Sequence, residues 1–166
     1  TAANVLSLTD AVKLVRLRAQ AMQNAVPVGV GGMAAVLGID DAVVKQVCAD
    51  AQAATGEIVE AVNFNSPGQV VIAGHKGAVE KACELAKAAG AKRALVLPVS
   101  APFHSTLLQP AAEKLQAALA ELNLHTPEIP VVNNVDVRIE TDVARIKDAL
   151  VRQAWHPVRW VECAQF

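Results

Sequence analysis

The chain has very few aromatic residues: 3% of its 166 positions, with no tyrosine. Alanine, valine and leucine must therefore do most of the packing, and an apolar fraction of 53% is ample for a core. Neither sign of charge dominates, because 15 basic residues stand against 16 acidic ones. This balance argues against a general nucleic-acid-binding surface, which needs a basic patch. No apolar run approaches a membrane span and no signal peptide opens the chain, so we expect no membrane partner.

Cysteine is also scarce, and the three cysteines, Cys48, Cys83 and Cys163, show no CxxC spacing. An odd number of unpaired cysteines is typical of a reduced, cytoplasmic protein. Cys48 and Cys83 fall on the apolar sides of predicted helices, which predicts that they fill the core. The four histidines are each more than twenty residues apart, so we expect no metal site. The first residue is Thr1 rather than methionine, which indicates a processed or excised piece.

Residues 31–98 contain six alternating strand and helix patterns. They are a strand from Met33 to Leu37, a helix capped by Asp40, strands from Ile58 to Phe64 and from Gln69 to Ala73, a helix from Lys76 to Ala89 and a strand from Lys92 to Leu97. The dipeptide Pro67-Gly68 has the pattern of a type II turn, so the two middle strands should form a hairpin. The order βαββαβ is that of the ferredoxin-like unit, which predicts an antiparallel sheet with both helices on one face.

The flanking segments, residues 1–30 and 99–166, predict parts of a second lobe. Ser7 and Asp10 form a capping box that opens a helix to about Gln23. Helices are also predicted from Leu107 to Leu122 and from Asp142 to Gln153, with a short strand at 130–135 between them. The first helix has one apolar stripe, which we predict to face inward: Leu8, Ala11, Val12, Val15, Ala19 and Met22.

Two residues of these flanking segments are candidates for a site. Arg18 lies in the apolar sector of the first helix, where a guanidinium either extends to water or meets an anion. His104 lies in the connection after the last predicted strand, and an imidazole there can exchange a proton at physiological pH. A lone histidine in such a connection is more often a surface-loop residue than a functional one. Residues 31–98 look like a subdomain inserted between the two flanking segments. Because the ends of an insertion usually lie close together, Arg18 and His104 should meet in the cleft between the two lobes.

Four runs of sequence resemble one bacterial enzyme family. They are NFNSPGQVVIAG at 63–74, AKRAL at 91–95, LPVSAPFH at 97–104 and PVVNNVD at 130–136. Together, within a match from about Asp10 to Trp160, they resemble the malonyl-CoA:acyl carrier protein transacylases of fatty-acid synthesis. The resemblance implies an α/β fold, in which part of an α/β-hydrolase-like acyltransferase lobe carries the ferredoxin-like subdomain as an insertion.

The resemblance also implies the chemistry and its residues. His104 matches the catalytic histidine that activates a nucleophilic serine, and Arg18 matches the arginine that binds the malonyl carboxylate. Four further residues match positions near the pantetheine or nucleotide of the substrate: Asn63, Asn65, Gln69 and Arg93. The alternative is that the two asparagines and Gln69 are only structural residues of the hairpin and that Arg93 is a solvated strand residue. The implied partners are malonyl-CoA, as substrate, and acyl carrier protein, without a cofactor.

The sequence departs from that family in what it does not contain. It has no G-x-S-x-G nucleophile elbow. We therefore expect a central fragment that is inactive by itself and that lacks the C-terminal segment whose glutamine backbone orients the histidine. Two alternatives stay open: an acyltransferase domain of a polyketide synthase, and a non-catalytic ferredoxin-like module that binds CoA or carrier protein. A GHSLG sequence within about fifteen residues upstream would favour the enzyme over the binding module.

Overall fold

The computed structural model describes residues 1–99 and 101–166, which form a mixed α/β fold. Ser100, in the connection that carries His104, lies outside the described residues. The helices are α1 (Leu8–Gln23), α2 (Asp41–Thr55), α3 (Lys76–Ala88), α4 (Gln109–Ala120), α5 (Val143–Gln153) and α6 (Trp160–Gln165), and a 3₁₀ helix at Thr106–Leu108 leads into α4. The strands are β1 (Gly31–Leu37), β2 (Val59–Ser66), β3 (Gln69–His75), β4 (Arg93–Val96), β5 (Val132–Asn133) and β6 (Arg138–Ile139).

The main sheet has four strands in the order β2-β3-β1-β4. Every neighbouring pair in it is antiparallel, so the predicted antiparallel sheet is confirmed. The hairpin between β2 and β3 closes with Ser66 opposite Gln69. Gly68 between them has a φ of 71°, which the second central position of a type II turn requires and glycine adopts without strain. The sheet thus follows from local turn chemistry and from the order of the elements.

Helices α2 and α3 pack on one face of this sheet. Their buried residues form a single cluster with residues from all four strands, among them Val36, Ile72 and Ala94. Cys48 and Cys83 lie in this cluster as free thiols, which confirms that they fill the core. Burial raises the pKa of the Cys48 thiol to about 12, so it stays protonated and unreactive at neutral pH. This face of the sheet is therefore structural.

The opposite face of the sheet packs against the segment that carries His104. Met33, Val62 and Ala73 are buried there, with Phe103 packed against them. The edge of β2 is also tied to the C-terminal part of the chain. The amide of Phe64 donates to the carbonyl of Val158 (3.0 Å), and the amide of Val158 donates to the carbonyl of Val62 (2.8 Å). The sheet and the segment that leads into α6 therefore meet along β2.

A second core lies between α4 and α5, where Leu115, Leu119, Leu124 and Ala154 are buried together. Helix α1 packs on α4, and Ser7 caps it by accepting a hydrogen bond from the amide of Asp10 (3.1 Å). The predicted cap at Ser7 is thus confirmed. The carboxylate of Asp10 accepts from the hydroxyl of Ser7 (2.7 Å), whereas in a capping box it would accept from the amide of Ser7. Among the described residues, no helix is both long enough and apolar enough to cross a bilayer.

The predicted inward stripe of α1 is wrong in most of its members. Leu8 is 70% exposed, Val12 59% and Val15 64%. The buried side of the helix is instead centred on Ala21 and Met22, with Leu14 packed against the second core. The reason is that apolar residues occur around most of this helix, so periodicity alone cannot select the side that meets α4.

Candidate functional site

A cavity of about 490 Å³ lies where α1, the main sheet and the connection after β4 meet. Its lining residues come from all three parts: Arg18, Ala19, Met22, Gln23, Met33, Asn63, Phe103 and His104. The predicted proximity of Arg18 and His104 is therefore confirmed, although their separation in sequence is 86 positions (104 − 18). The volume is in the range of small-molecule sites, which are favoured in such clefts.

The backbone at His104 has an unusual conformation. Its φ is 63°, in the left-handed region that non-glycine residues adopt at a cost and keep only where the surroundings fix them. Ser105 helps to fix it, because its fully buried hydroxyl donates to the carbonyl of Pro102 (2.6 Å). Strained residues of this kind concentrate at functional sites. The sequence alone did not indicate this conformation, because a positive φ is uncommon at any residue other than glycine.

The imidazole of His104 has a defined tautomer. Its Nδ1 lies 2.8 Å from the carbonyl oxygen of Gln153. A carbonyl can only accept, so Nδ1 carries the hydrogen and Nε2 keeps a free lone pair. The resemblance predicts that the orienting glutamine carbonyl lies in a C-terminal segment outside this chain. That prediction is wrong, because Gln153 at the end of α5 supplies the carbonyl.

The position of Gln153 explains why sequence reasoning missed it. A backbone carbonyl has no residue signature, since any amino acid presents the same atom. The one available signal was that a helix predicted to end at this residue leaves its last carbonyls without intrahelical partners. The side chain of Gln153 strengthens the arrangement, because its Nε2 donates to the carbonyls of His156 (3.1 Å) and Pro157 (3.2 Å).

The surroundings favour the neutral imidazole. Burial lowers the pKa of His104 below its usual value of 6.5, and the positive charge of Arg18 lowers the pKa further. The hydrogen bonds to the backbone of Gln153 and His156 oppose this by raising the pKa. Because burial has the largest effect on this pKa, the imidazole is neutral at physiological pH and can accept a proton.

Arg18 extends from α1 into the same cavity and is partly buried. Among residues 1–99 and 101–166, no carboxylate forms a salt bridge with it. Burial lowers the pKa of Arg18, but a guanidinium remains charged at any physiological pH. A partly buried cation without a carboxylate partner is costly, and an anionic ligand in the cavity would offset that cost.

The other four predicted substrate residues do not share one location. Asn63 lines the cavity. Asn65 and Gln69 lie at the hairpin end of β2 and β3, where the hydroxyl of Ser66 donates to Oε1 of Gln69 (3.2 Å). Arg93 is exposed on β4, at the opposite edge of the sheet from β2. The roles of all four stay predictions, with Asn63 the best placed to meet a ligand bound beside His104.

The cavity combines two chemical functions. A neutral imidazole with a free Nε2 can accept a proton from a nucleophile, and a guanidinium can bind a carboxylate through two parallel hydrogen bonds. Both line the same space, so one ligand can meet both. This arrangement suits acyl transfer to or from a substrate whose acyl group carries a negative charge.

Comparison with known proteins agrees with this chemistry. A curated relative, the "Malonyl CoA-acyl carrier protein transacylase" of Salmonella typhimurium, is 56% identical over 164 residues, which is 99% of this chain and 52% of the relative. The chain thus spans about half the length of the curated relatives it matches. The crystal structure of an acyl-carrier-protein S-malonyltransferase from Burkholderia pseudomallei is 64% identical, with a TM-score of 0.95 over 98% of this chain and 52% of that one.

A further solved structure is described as a type II PKS acyl-carrier protein in complex with its malonyl-transacylase. It is 51% identical, with a TM-score of 0.96 over 99% of this chain and 52% of that chain. The resemblance found in the sequence motifs is therefore confirmed across the chain. The sequence pattern of the family described as "Acyl transferase domain" matches residues 1–164. The chain belongs to the acyl transferase domain family.

Proposed function

We propose that this chain is part of a malonyl-CoA:acyl carrier protein transacylase of fatty-acid synthesis. The observation that carries the proposal is one cavity lined by both Arg18 and His104. Within the described part of the chain Arg18 has no carboxylate partner, and Nε2 of His104 carries no hydrogen. The nucleophilic serine would come from a segment outside these 166 residues, since they contain no G-x-S-x-G. "Full-length enzyme" below means a transacylase that contains this chain and that segment.

In the first half-reaction, Nε2 of His104 takes the proton of the serine hydroxyl as the serine oxygen attacks the thioester carbonyl of malonyl-CoA. The tetrahedral intermediate collapses, the carbon–sulfur bond breaks, and the departing CoA thiolate takes the proton back from His104. Gln153 holds Nδ1–H throughout and stabilises the imidazolium that forms. The product is a malonyl ester of the serine.

In the second half-reaction, the phosphopantetheine thiol of acyl carrier protein gives its proton to His104 and attacks the ester. The ester bond breaks, and His104 returns the proton to the serine oxygen. Every step uses proton transfer and nucleophilic attack, so the reaction needs no metal or cofactor, and malonyl-CoA enters as a substrate.

Arg18 would determine the choice of acyl group. Its guanidinium would bind the malonyl carboxylate through two charge-assisted hydrogen bonds. An acetyl group would leave it unpaired, and a buried polar group left without its partner is strongly disfavoured. Asn63 would contact the substrate in the same cavity. Asn65, Gln69 and Arg93 would contact more distant parts of the pantetheine or nucleotide.

We also propose that residues 31–98 are a ferredoxin-like subdomain, inserted in an α/β-hydrolase-like acyltransferase lobe that includes residues 1–30 and 99–166. The strand order β2-β3-β1-β4 with both helices in one core supports the first part. The separate core between α4 and α5 supports the division. The three free cysteines support a reducing, cytoplasmic location.

The polyketide-synthase alternative would be distinguished by the choice of carrier protein, since one similar structure is a type II PKS acyl-carrier protein in complex with its malonyl-transacylase. Transfer assays with carrier proteins of both pathways would separate the two. The non-catalytic alternative does not explain why Arg18 and His104 line the same cavity.

The test is transfer of malonyl from malonyl-CoA to carrier protein by the full-length enzyme. We expect His104→Ala to lower kcat at least about a thousandfold while CoA binding persists, because substrate binding does not need the proton transfer that His104 supplies. His125→Ala, at an exposed histidine, is the matched control and should retain activity. Transfer by His104→Ala within about tenfold of wild type would reject the proposed base.

A further inference from the structure

A carboxylate from the main sheet is bound to the segment that carries His104. Oε2 of Glu60, on β2, accepts a hydrogen bond from the amide of Thr106 (2.8 Å). The hydroxyl of Thr106 lies 3.2 Å from both carboxylate oxygens of Glu60. Thr106 is two residues after His104 and begins the 3₁₀ helix that leads into α4. The interaction therefore joins the sheet to the helix that starts beside the imidazole.

The start of this helix has no local cap. Ser105 occupies the capping position, but its side chain makes no capping hydrogen bond and donates instead to the carbonyl of Pro102. Its backbone carbonyl accepts from the amide of Leu108 (3.0 Å). The amide of Thr106 thus depends on Glu60, and a negative charge at a helix N-terminus is stabilising.

This interaction bears on the cavity because the walls of the cavity come from separate elements. Met33 and Asn63 belong to the sheet, Arg18 belongs to α1, and His104 lies between them. The left-handed φ of His104 is maintained only while its neighbours fix the chain on both sides. On one side Gln153 fixes the imidazole, and on the other Glu60 fixes the backbone through Thr106.

We propose that Glu60 is a positioning residue, which sets the place of His104 relative to the sheet through its bonds to Thr106. The proposal rests on the acyl-transfer function proposed above. Glu60 does not touch the reacting atoms, and it acts on the alignment of Nε2 rather than on substrate binding. Misplacement of a catalytic group by about 1 Å costs on the order of a hundredfold in rate.

The experiment compares Glu60→Gln, Glu60→Ala and Thr106→Val in the full-length enzyme. We expect kcat to fall about tenfold in Glu60→Gln and up to about a hundredfold in Glu60→Ala, with KM for malonyl-CoA within about twofold of wild type. Thr106→Val removes only the hydroxyl bonds and should lower kcat less. Combined with Glu60→Ala it should add little, because the two residues act as one unit. Glu80→Gln removes the same charge at an exposed position of α3 and is the matched control.

A second measurement follows the imidazole directly and does not depend on activity. The proton on Nδ1 of His104, bonded to the carbonyl of Gln153, should give a downfield NMR signal that disappears in His104→Ala. We expect Glu60→Ala to shift or broaden this signal and Glu80→Gln to leave it unchanged. A residue that only stabilises the fold would lower the melting temperature without moving kcat of the folded enzyme or this signal.

The outcomes separate this inference from the proposed function. If His104→Ala abolishes transfer but Glu60→Gln and Glu60→Ala keep kcat within about twofold of wild type and the NMR signal unchanged, the positioning role is wrong and the function stands. If Glu60→Ala proves unstable, Glu60→Gln decides: an unchanged kcat and an unchanged NMR signal in that variant overturn the proposal, because the charge that holds the amide of Thr106 is then removed without effect. If His104→Ala retains transfer, the proposed function fails, and an NMR signal that is unchanged in Glu60→Ala would then reject the positioning role as well.

Discussion

Nδ1 of His104 lies 2.8 Å from the carbonyl oxygen of Gln153, at the last residue of α5. This one hydrogen bond fixes the tautomer of the imidazole and leaves Nε2 free to act as a base. It also links two segments 49 positions apart in sequence. The proton affinity of His104 is then set by three features around it: burial, the backbone hydrogen bonds and the charge of Arg18.

The first prediction concerns the titration of His104. Because burial lowers its pKa below 6.5, the acid limb of the kcat/KM profile of the full-length enzyme should have its midpoint below pH 6.5. Replacing Arg18 with uncharged methionine should raise the pKa of His104, because the nearby positive charge no longer opposes protonation. NMR titration of the imidazole measures the pKa of His104 in the wild type and in Arg18→Met. A midpoint above 6.5 in the wild type, or a downward shift in Arg18→Met, would contradict this description of the site.

The same shift has a consequence for stability. Folded His104 resists protonation, so below pH 6.5 the unfolded chain binds more protons than the folded one at this residue. The free energy of unfolding should therefore decrease as pH falls from 6.5 towards the lowered pKa. In His104→Gln this part of the pH dependence should be smaller. Urea unfolding at a series of pH values measures the difference, and equal slopes in the two proteins would refute it.

A third prediction concerns the 166-residue chain by itself. It should not form a stable malonyl adduct with malonyl-CoA, because it has no nucleophile elbow to place a serine beside His104. Intact-protein mass spectrometry after incubation is the measurement, with circular dichroism to establish that the chain is folded. The full-length enzyme under the same conditions is the positive control. A malonyl adduct on any serine of this chain would show that the nucleophile lies within it.

A fourth prediction tests the packing of the sheet. A Cβ added at Gly74, on β3, would lie 2.0 Å from the carbonyl oxygen of Ile58, and backbone cannot move away cheaply. Gly74→Ala should therefore lower the free energy of unfolding by more than about 3 kcal/mol. Gly77→Ala is the matched control: its Cβ would meet only the flexible side chain of Glu57, and alanine favours helix α3 by up to about 1 kcal/mol. Equal stabilities of the two variants would contradict the pairing of β2 and β3.

Several elements of the fold could be predicted because each has a local cause. Pro67-Gly68 fixes the hairpin, Gly56 has the left-handed φ of 70° expected just after α2, and Ser7 caps α1. The orientation of α1 could not be predicted in the same way. Leu8, Val12 and Val15 make as good a stripe as the residues that pack, and only tertiary contacts distinguish the two.

The site was predictable as far as it depends on residue type. Arg18 stood out as a cation in an apolar sector, and His104 stood out by its position after a strand. Gln153 acts through its backbone carbonyl, and Glu60 acts through a contact to Thr106 that is 46 positions away in sequence. Neither has a sequence signature. Contacts of this kind arise from the fold and become visible only when the elements are assembled.

The most direct test of the central claim, that Arg18 and His104 form one acyl-transfer site, is the selectivity of the full-length enzyme. The measurement is kcat/KM for malonyl-CoA and acetyl-CoA in the wild type, Arg18→Ala and Arg18→Lys. Arg16→Ala, at an exposed residue of the same helix, is the matched control.

A charge-assisted hydrogen bond contributes about 1.5–3 kcal/mol, so Arg18→Ala should lose roughly ten- to a hundredfold in preference for malonyl over acetyl. Arg18→Lys should recover this preference only in part, because a point charge lacks the planar fork of a guanidinium. Activity on acetyl-CoA should be unchanged or higher, and Arg16→Ala should behave as wild type. If kcat/KM for the two thioesters falls in parallel in Arg18→Ala, Arg18 is a structural residue and the proposed carboxylate site is wrong.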